Sequence, residues 1–312
     1  MASDHFDGRR FFNPTGPTLE PFSSVPRLLL SPRTRWPRHI VDPPIPIPDR
    51  GDAPALITFV GHSTFLIQTS DDVILTDPVF STHAGPGGLI GPRRVRRPAI
   101  PLDAIPPVSL ILLSHNHYDH CDVSALRRLA RRFDPLVVTP LGNGALLRSA
   151  GLRRIEELDW WQQAATKTTT ITATPAHHFS ARGPFDRNRA LWSGFVVGVA
   201  GRHIYFAGDT AYTGVFKDLR GRIGPVDLAL LPIGAYEPRW FMRSVHMNPE
   251  EAVRAHMELG SALSVAMHFG TFQLTTEGID EPELALRRAC AEHGIPELQF
   301  RVPSSGESIH VR

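Results

Sequence analysis

Short apolar runs alternate with polar turns from residue 56 to the end of the chain. Apolar or β-branched runs bounded by turn residues are typical of strands. The pattern therefore predicts strands over residues 56–60, 64–68, 73–76, 110–113, 136–138, 168–174, 193–199, 203–207, 228–231, 263–266 and 299–302.

Four longer segments have the apolar spacing and the end signals of helices. Asp122 and Asn248 stand where helix-capping residues are expected, and Gly294 follows the last segment. The predicted helices are residues 123–133, a piece after Pro140, 249–259 and 281–293. The predicted order is a group of strands followed by strands mixed with helices, and this order occurs twice along the chain. It predicts an α/β protein in which two sheets are covered by helices.

The first 54 residues differ from the rest because they contain eleven prolines. Proline excludes both a continuous helix and a central strand, so we expect an extended arm. Its apolar residues predict packing on the core or on a partner, since a free linker would not need them. These residues are Phe6, Phe11, Phe12, Phe22, Trp36, Ile45 and Ile47. The expected division is an arm of residues 1–54 and one folded domain of residues 55–312.

Composition narrows the choice of partners. The 312 residues include 33 Lys and Arg against 31 Asp and Glu, and a formal net charge of +2 predicts no nucleic-acid partner. Two cysteines are too few for a disulfide framework or a thiolate metal site, so any metal must be held by His and carboxylates. No apolar run approaches the roughly 20 residues that span a bilayer, and no secretory signal is recognisable. We expect a cytoplasmic protein, with peripheral contact at the inner face of a membrane left open.

The sharpest chemical signal is the segment 114–120, Ser-His-Asn-His-Tyr-Asp-His, directly after a predicted strand. His115, His117, Asp119 and His120 offer neutral imidazoles and a carboxylate, a ligand set that suits zinc. On a loop, side chains at positions i, i+2, i+4 and i+5 can point toward two neighbouring metal ions. A polar turn with solvated histidines is the weaker alternative, because three histidines in six residues are uncommon.

Further His and Asp residues follow later predicted strands: His177 and His178, Asp209, and His268. Each follows an apolar or β-branched run, as a site at the carboxyl ends of strands requires. Taken singly, His178 or His268 is better explained as a structural histidine. Taken together with segment 114–120, they complete a seven-ligand site for two metals.

The order of these residues resembles the metallo-β-lactamase superfamily, whose four-layer αββα sandwich holds one or two metals at the sheet edges. Further motifs resemble N-acylphosphatidylethanolamine-hydrolysing phospholipase D and its bacterial relatives. They are Val60-Gly61-His62, Thr76-Asp77-Pro78, and residues 91–94, 114–120, 157–161, 206–210 and 232–242. The resemblance runs from about Leu56 to the turn at Gly306 and is weaker in the first 54 residues.

The resemblance implies two Zn²⁺ per chain, although the ligand set also accepts Fe²⁺ or Mn²⁺. One zinc is expected on His115, His117 and His178, and the second on Asp119, His120 and His268, with Asp209 bridging. His178 is preferred to His177 because the family ligand precedes an aromatic residue, here Phe179.

The implied reaction is hydrolysis of a phosphodiester by a hydroxide shared between the metals, releasing N-acylethanolamine and leaving phosphatidate. Asp119 is the candidate proton shuttle. His246 is expected to face the site and to contact a phosphoryl oxygen or assist the leaving group; a helix-flanking structural histidine is the alternative.

Six residues are candidates for substrate binding: Arg93, Arg94, Tyr118, Trp240, Phe241 and Met242. Arg93 and Arg94, with Arg96 and Arg97, follow a glycine-rich loop and could meet phosphate or a membrane surface, or could form a solvated basic loop. The run 240–242 is either an acyl-chain wall or buried core.

The expected partners are a phospholipid substrate and a transiently contacted membrane surface, with a homodimer left open. Three other functions compete with the lipid hydrolase. They are a hydrolase of a small phosphoester, cyclic phosphodiester or lactone, a flavin-linked di-iron protein, and an inactive metal-binding scaffold.

Overall fold

Two seven-stranded sheets form the centre of the molecule. They are seen in a computed structural model that describes residues 4–43, 45–46 and 48–312, apart from the side chains of Phe22 and Leu29. The first sheet has the order β14-β1-β2-β3-β4-β5-β6. Its strands are β1 Ala55–Gly61, β2 Thr64–Gln68, β3 Val73–Thr76, β4 Leu110–Leu112, β5 Leu136–Pro140, β6 Arg154–Leu158 and β14 Ser308–Val311.

The second sheet has the order β13-β12-β11-β10-β9-β8-β7. Its strands are β7 Gln163–Ala165, β8 Thr169–Thr174, β9 Gly194–Val199, β10 Arg202–Phe206, β11 Leu228–Pro232, β12 Leu263–Met267 and β13 Phe300–Arg301. Each sheet joins an antiparallel half to a parallel half. The parallel strands are β3 to β6 in the first sheet and β10 to β13 in the second.

The described residues also form seven α-helices. They are α1 Val25–Leu29, α2 Val123–Phe133, α3 Gly144–Ser149, α4 Val215–Ile223, α5 Arg239–Met242, α6 Pro249–Leu259 and α7 Glu281–Glu292. Asp122 caps α2 by accepting hydrogen bonds from the Ser124 and Ala125 amides, and Asn248 forms a capping box with Glu251 at α6. The sequence predictions for α2 and α6 are therefore confirmed.

Alternation along the strands of the first sheet separates two apolar layers. Ile74 and Leu112 face the second sheet and join the core between the sheets. Leu75 and Ile111 point the other way and pack with Leu126 of α2. Residues of α4, α6 and α7 extend the inter-sheet core across the second sheet. The fold is the predicted four-layer αββα sandwich, held by burial of both faces of each sheet.

The arm contains a 3-10 turn at Phe22–Ser24 followed by α1, neither of which was predicted from the sequence. Helix α1 spans only five residues and carries Pro26 in its first turn, where proline costs no hydrogen bond. The expectation of an arm without helix is wrong at this place, because proline excludes the helix interior but not its start.

Elsewhere the arm lies against the core. Phe11 is buried with Leu191 and Trp192, and Trp36 Nε1 donates to the Glu277 carbonyl over 2.8 Å. Ile47, one of the apolar arm residues expected to pack, lies outside the described residues. The division of the chain at residue 54 stays a prediction. Among the described residues, no helix has the length and apolar character needed to cross a bilayer.

Two neighbouring phenylalanines test how strongly the arm stabilises the fold. Phe11 is 7% exposed, whereas Phe12 is 40% exposed. We expect Phe11→Ala to lower the free energy of unfolding by about 3 kcal/mol, because a large buried side chain leaves a cavity. The matched variant Phe12→Ala should change it by less than about 0.5 kcal/mol. Urea unfolding measures both, and equal midpoints for Phe11→Ala and wild type would show that the arm does not stabilise the domain.

Candidate metal centre

The carboxyl ends of the parallel strands of both sheets meet at one edge of the sandwich. Asp77 follows β3, the segment 114–120 follows β4, Asp209 follows β10 and His268 follows β12. The two sheets thus deliver polar side chains to a common point from opposite sides. Gly208 allows this approach, since its φ is +60° and a Cβ there would lie 2.8 Å from Ser114 Cβ.

Three histidines form the first cluster. His117 Nδ1 lies 2.9 Å from His115 Nε2 and 3.2 Å from His178 Nε2. His115 and His178 are buried, and His117 is partly buried. The three nitrogens lie close enough together to bind one ion. The structure therefore brings together the three residues that the sequence analysis expected to share a metal.

A second cluster contains Asp119, His120 and His268. Asp119 Oδ2 lies 3.6 Å from His120 Nε2 and 3.3 Å from His268 Nε2. His62 joins the same cluster, because its Nε2 lies 3.2 Å from Asp119 Oδ2. Three of these four residues were expected at one metal, and His62 was not assigned a role.

Asp209 lies between the two clusters. Its Oδ2 is 3.1 Å from His120 Nε2 and 3.2 Å from His268 Nε2. The same oxygen is 3.7 Å from His178 Nε2 and 3.9 Å from His115 Nε2. This central position is compatible with a carboxylate that bridges two ions.

Partners behind the rings fix which nitrogen faces the cluster. His120 Nδ1 donates to Asp77 Oδ2 over 2.6 Å, and His178 Nδ1 donates to the Val245 carbonyl over 2.9 Å. Ser114 Oγ donates to Asp77 and lies 2.9 Å from His115 Nδ1. With a proton on each Nδ1, the Nε2 lone pairs of these histidines point inward, as metal ligands require.

Several inward atoms have no hydrogen bond within the described part of the chain. They are His120 Nε2, His268 Nε2 and Asp209 Oδ1, all buried. Buried polar atoms are normally paired, so atoms left unpaired around a carboxylate need another partner. A divalent cation fits, because the nitrogens supply lone pairs and the carboxylates supply negative charge.

Burial and charge set the protonation of the two clusters. Burial lowers the pKa of His117 to about 3 and that of His178 to about 4, with neighbouring histidines adding to the effect, so both are neutral at pH 7. Burial also disfavours a charge on His268, yet Asp209 and Asp119 raise its pKa to about 9. In the metal-free protein the first cluster is therefore ready to coordinate, while His268 must release a proton first.

Two further histidines lie beside this cluster with different partners. His246 Nε2 lies 3.9 Å from Asp209 Oδ2, and its ring is 5.1 Å from that of His178. It therefore faces the centre. His177 instead points its Nδ1 at the Ser244 carbonyl, and its ring packs against Gly16 of the arm. A Cβ at Gly16 would clash with that ring, so His177 belongs to the arm contact.

Arg94 was expected to be free for phosphate or a membrane, and this expectation is wrong. Its side chain is buried, stacks on Phe272 at 4.7 Å and donates to the carbonyls of Val79 and Ser81. The Arg94 guanidinium therefore stabilises the loop at residues 79–81 and does not face solvent. Arg93 is exposed and remains available.

The other substrate-binding candidates have different surroundings. Tyr118 donates its hydroxyl to the Arg182 carbonyl over 2.8 Å and stacks under the Arg182 guanidinium. Met242 is buried in a small apolar cluster, so it contributes to the core. Trp240 is covered by the Arg27 guanidinium at 4.1 Å.

Phe241 lines an apolar cleft of about 240 Å³. The arm residues Leu19 and Leu28 form one wall, and Phe179 lines it beside the histidines. The Phe179 ring lies 4.5 Å from the His117 ring. An apolar cleft therefore opens directly beside the first cluster.

His62 and Asp77 belong to two of the sequence motifs that carry the family resemblance, but no role could be predicted for them. Each stands alone in the sequence, without neighbouring His or Asp ligands. Their only local signal is position, because each directly follows an apolar strand, as the ligands of segment 114–120 do.

A four-layer sandwich with a His and Asp cluster at its strand ends defines a class of metal-dependent hydrolases. Residues 73–269 match the family model described as a β-lactamase superfamily domain. The chain belongs to this superfamily.

Relatives of known sequence extend over most of the chain. An uncharacterised protein of Mycobacterium tuberculosis is 41% identical over 85% of this chain and 73% of its own length. The N-acyl-phosphatidylethanolamine-hydrolyzing phospholipase D 1 of Caenorhabditis elegans is 37% identical over 80% of this chain and 74% of its own length.

Among solved structures, one described as a possible metal-dependent hydrolase from Veillonella parvula matches 83% of this chain and 100% of its own, with a TM-score of 0.68 and 18% identity. An isothiocyanate hydrolase from Delia radicum gut bacteria matches 81% of this chain and 98% of its own, with a TM-score of 0.66 and 24% identity. At these identities the likeness concerns the fold.

Asp77 offers a test of how the second cluster is oriented. Asp77→Asn cannot accept from both His120 and Ser114 as the carboxylate does, so we expect zinc affinity to fall about 10- to 100-fold. The control Asp71→Asn removes a carboxylate that is exposed and bonded to Ser70. Competition with a chromophoric chelator measures the affinity. Equal affinities for Asp77→Asn and wild type would rule out an orienting role.

Proposed function

We propose that the protein is a zinc-dependent phosphodiesterase that hydrolyses N-acylphosphatidylethanolamine to N-acylethanolamine and phosphatidate. The observation that carries the proposal is the apolar cleft beside the His and Asp centre, in a chain 37% identical to the phospholipase D of Caenorhabditis elegans. A phosphodiester lipid needs a cationic centre for its headgroup and an apolar surface for its acyl chains.

Two zinc ions would be held by the ligands of the two clusters. His115, His117 and His178 would hold one, and Asp119, His120 and His268 the other, with Asp209 shared. Zinc bound there supplies Lewis acidity toward phosphoryl oxygens and lowers the pKa of water toward neutrality.

The protein side chains would then manage protons and orientation. In the hydrolysis, water adds its oxygen to phosphorus and the bond from phosphorus to the ethanolamine oxygen breaks. Asp119 is our candidate for carrying the proton to that leaving oxygen, because its carboxylate lies at the rim of the centre with 13% of its side chain exposed. His246 faces Asp209 and would donate to a phosphoryl oxygen or assist the leaving group.

The cleft beside Phe179 would hold an acyl chain. Its walls come from Leu19, Val25 and Leu28 of the arm and from Phe241 and Val245 of the domain. The arm would thus take part in substrate binding, in addition to stabilising the fold.

A substrate panel tests the proposal. Zinc-loaded protein should contain about two equivalents of zinc, as two complete His and Asp ligand sets imply. It should release N-acylethanolamine from vesicles containing N-acylphosphatidylethanolamine faster than it cleaves phosphatidylcholine or bis(p-nitrophenyl) phosphate. A chelator should abolish the activity and zinc should restore it.

Two results would contradict the proposal in different ways. Full activity of metal-free protein would remove the metal mechanism. Zinc-dependent turnover of small esters or diesters with no reaction on vesicles would replace the lipid substrate by a small molecule.

We also propose a transient contact with the membrane surface. Arg93 and Arg97 are exposed, and Leu89 and Ile90 nearby in sequence are 77% and 60% exposed. Cationic and apolar side chains together favour an anionic bilayer surface. Whether the chain forms a homodimer stays a prediction.

The arginines allow a direct test of this contact. We expect the double variant Arg93→Ser/Arg97→Ser to bind anionic vesicles roughly 30-fold less tightly at low salt, because each cation contributes about 1 kcal/mol. The control Lys167→Ser/Arg220→Ser removes the same charge from exposed positions in the β7–β8 turn and in α4. Vesicle sedimentation measures binding. Equal losses in both variants would mean that net charge, and no particular surface, governs the contact.

A further inference from the structure

His62 lies in a strained turn at the metal centre. It follows β1, whose register with β2 shifts between Phe59 and Gly61, and its φ is +57°. A positive φ is unfavourable for a residue with a bulky side chain and clusters at functional sites. The His62 carbonyl accepts from the His268 amide over 3.0 Å, which ties this turn to the strand end that carries a proposed ligand.

The His62 side chain is 1% exposed and points into the second cluster. Its ring lies 4.2 Å from that of His268 and edge-on to Phe272 at 5.2 Å. Its Nδ1 has no hydrogen-bond partner among the described residues. Its Nε2 lies 3.2 Å from Asp119 Oδ2 with hydrogen-bond geometry. The tautomer that satisfies Asp119 is therefore the one with the proton on Nε2.

The geometry distinguishes His62 from the other two histidines of this cluster. His120 Nε2 and His268 Nε2 approach the carboxylates closely but make no hydrogen bond with acceptable angles. His62 Nε2 does make one. Nitrogens that converge without a well-formed hydrogen bond can bind an ion once His268 has released its proton, whereas a well-formed N–H donor occupies its nitrogen.

We propose that His62 is a positioning residue for Asp119 and not a metal ligand. Its Nε2–H donates to Asp119 Oδ2 and holds the carboxylate against His120 and His268. The inference rests on the proposed metal centre but not on the identity of the substrate. Asp119 lies on the loop after β4, so a donor from the turn after β1 would fix the orientation of its carboxylate.

Two substitutions separate a donor from a ligand. His62→Gln keeps an N–H donor at similar reach, whereas His62→Phe keeps a ring of similar size without a donor. We expect His62→Phe to weaken binding of the second zinc about 10- to 100-fold, the usual loss when a ligand's hydrogen-bond partner is removed. His62→Gln should recover most of that affinity. Binding of the first zinc should be unchanged in both.

Chelator competition measures the two affinities, and the visible spectrum of the Co²⁺-substituted protein reports the ligands. If His62 positions Asp119, the Co²⁺ spectrum of His62→Gln should match that of wild type. The control His256→Phe replaces another buried histidine, which pairs with Ser264 Oγ away from this centre, and should leave both affinities unchanged.

Two outcomes would overturn the inference. Unchanged affinity of His62→Phe for the second zinc would show that Asp119 needs no such donor. A loss of the second zinc in His62→Gln, with the Co²⁺ spectrum altered as in His268→Gln, would make His62 a ligand. Absence of activity on N-acylphosphatidylethanolamine would affect only the proposed substrate, because neither measurement uses a substrate.

Discussion

The Asp209 carboxylate is surrounded by five imidazoles, and this arrangement constrains the whole edge of the sandwich. His115, His120, His178, His246 and His268 each place Nε2 within 3.1–3.9 Å of its Oδ2. A carboxylate that is 3% exposed is costly unless positive charge compensates it. Strands from both sheets must therefore end at the same edge of the sandwich, so that the histidines that follow them surround the Asp209 carboxylate.

Much of this arrangement could be predicted because its signals are local. Helices α2 and α6 have caps and apolar spacing, and segment 114–120 concentrates four proposed ligands in six residues. His62 and Asp77 could not be assigned, since their partners are distant in sequence and only the fold brings them together. The burial of Arg94 depends on carbonyls of Val79 and Ser81 that no sequence pattern reveals. Strands β6, β7 and β14 were missed because they are short and lie at sheet edges, where polar residues are tolerated.

The arm extends the site beyond the family domain. The family model covers residues 73–269, and the arm lies wholly outside it. Nevertheless Asn13 Nδ2 donates to the His178 carbonyl over 2.8 Å, and Trp192 Nε1 donates to Asn13 Oδ1 over 3.2 Å. An arm residue thus bonds directly to the backbone of a proposed ligand. The same segment continues to Leu19, which lines the apolar cleft. One stretch of the arm therefore contacts both the cleft and the backbone of His178.

The two clusters differ in charge, so the two sides of the metal centre are chemically different. The first contains three imidazoles whose backs are held by neutral partners such as the Val245 carbonyl. The second contains the Asp119 carboxylate and rests on the buried Asp77. With Asp209 shared between the two proposed ligand sets, the second set carries one carboxylate more than the first. The apolar cleft lies beside the first cluster, next to Phe179, whereas Asp119, the proposed proton carrier, belongs to the second. An amphiphile that enters by the cleft would therefore reach the centre from its first-cluster side.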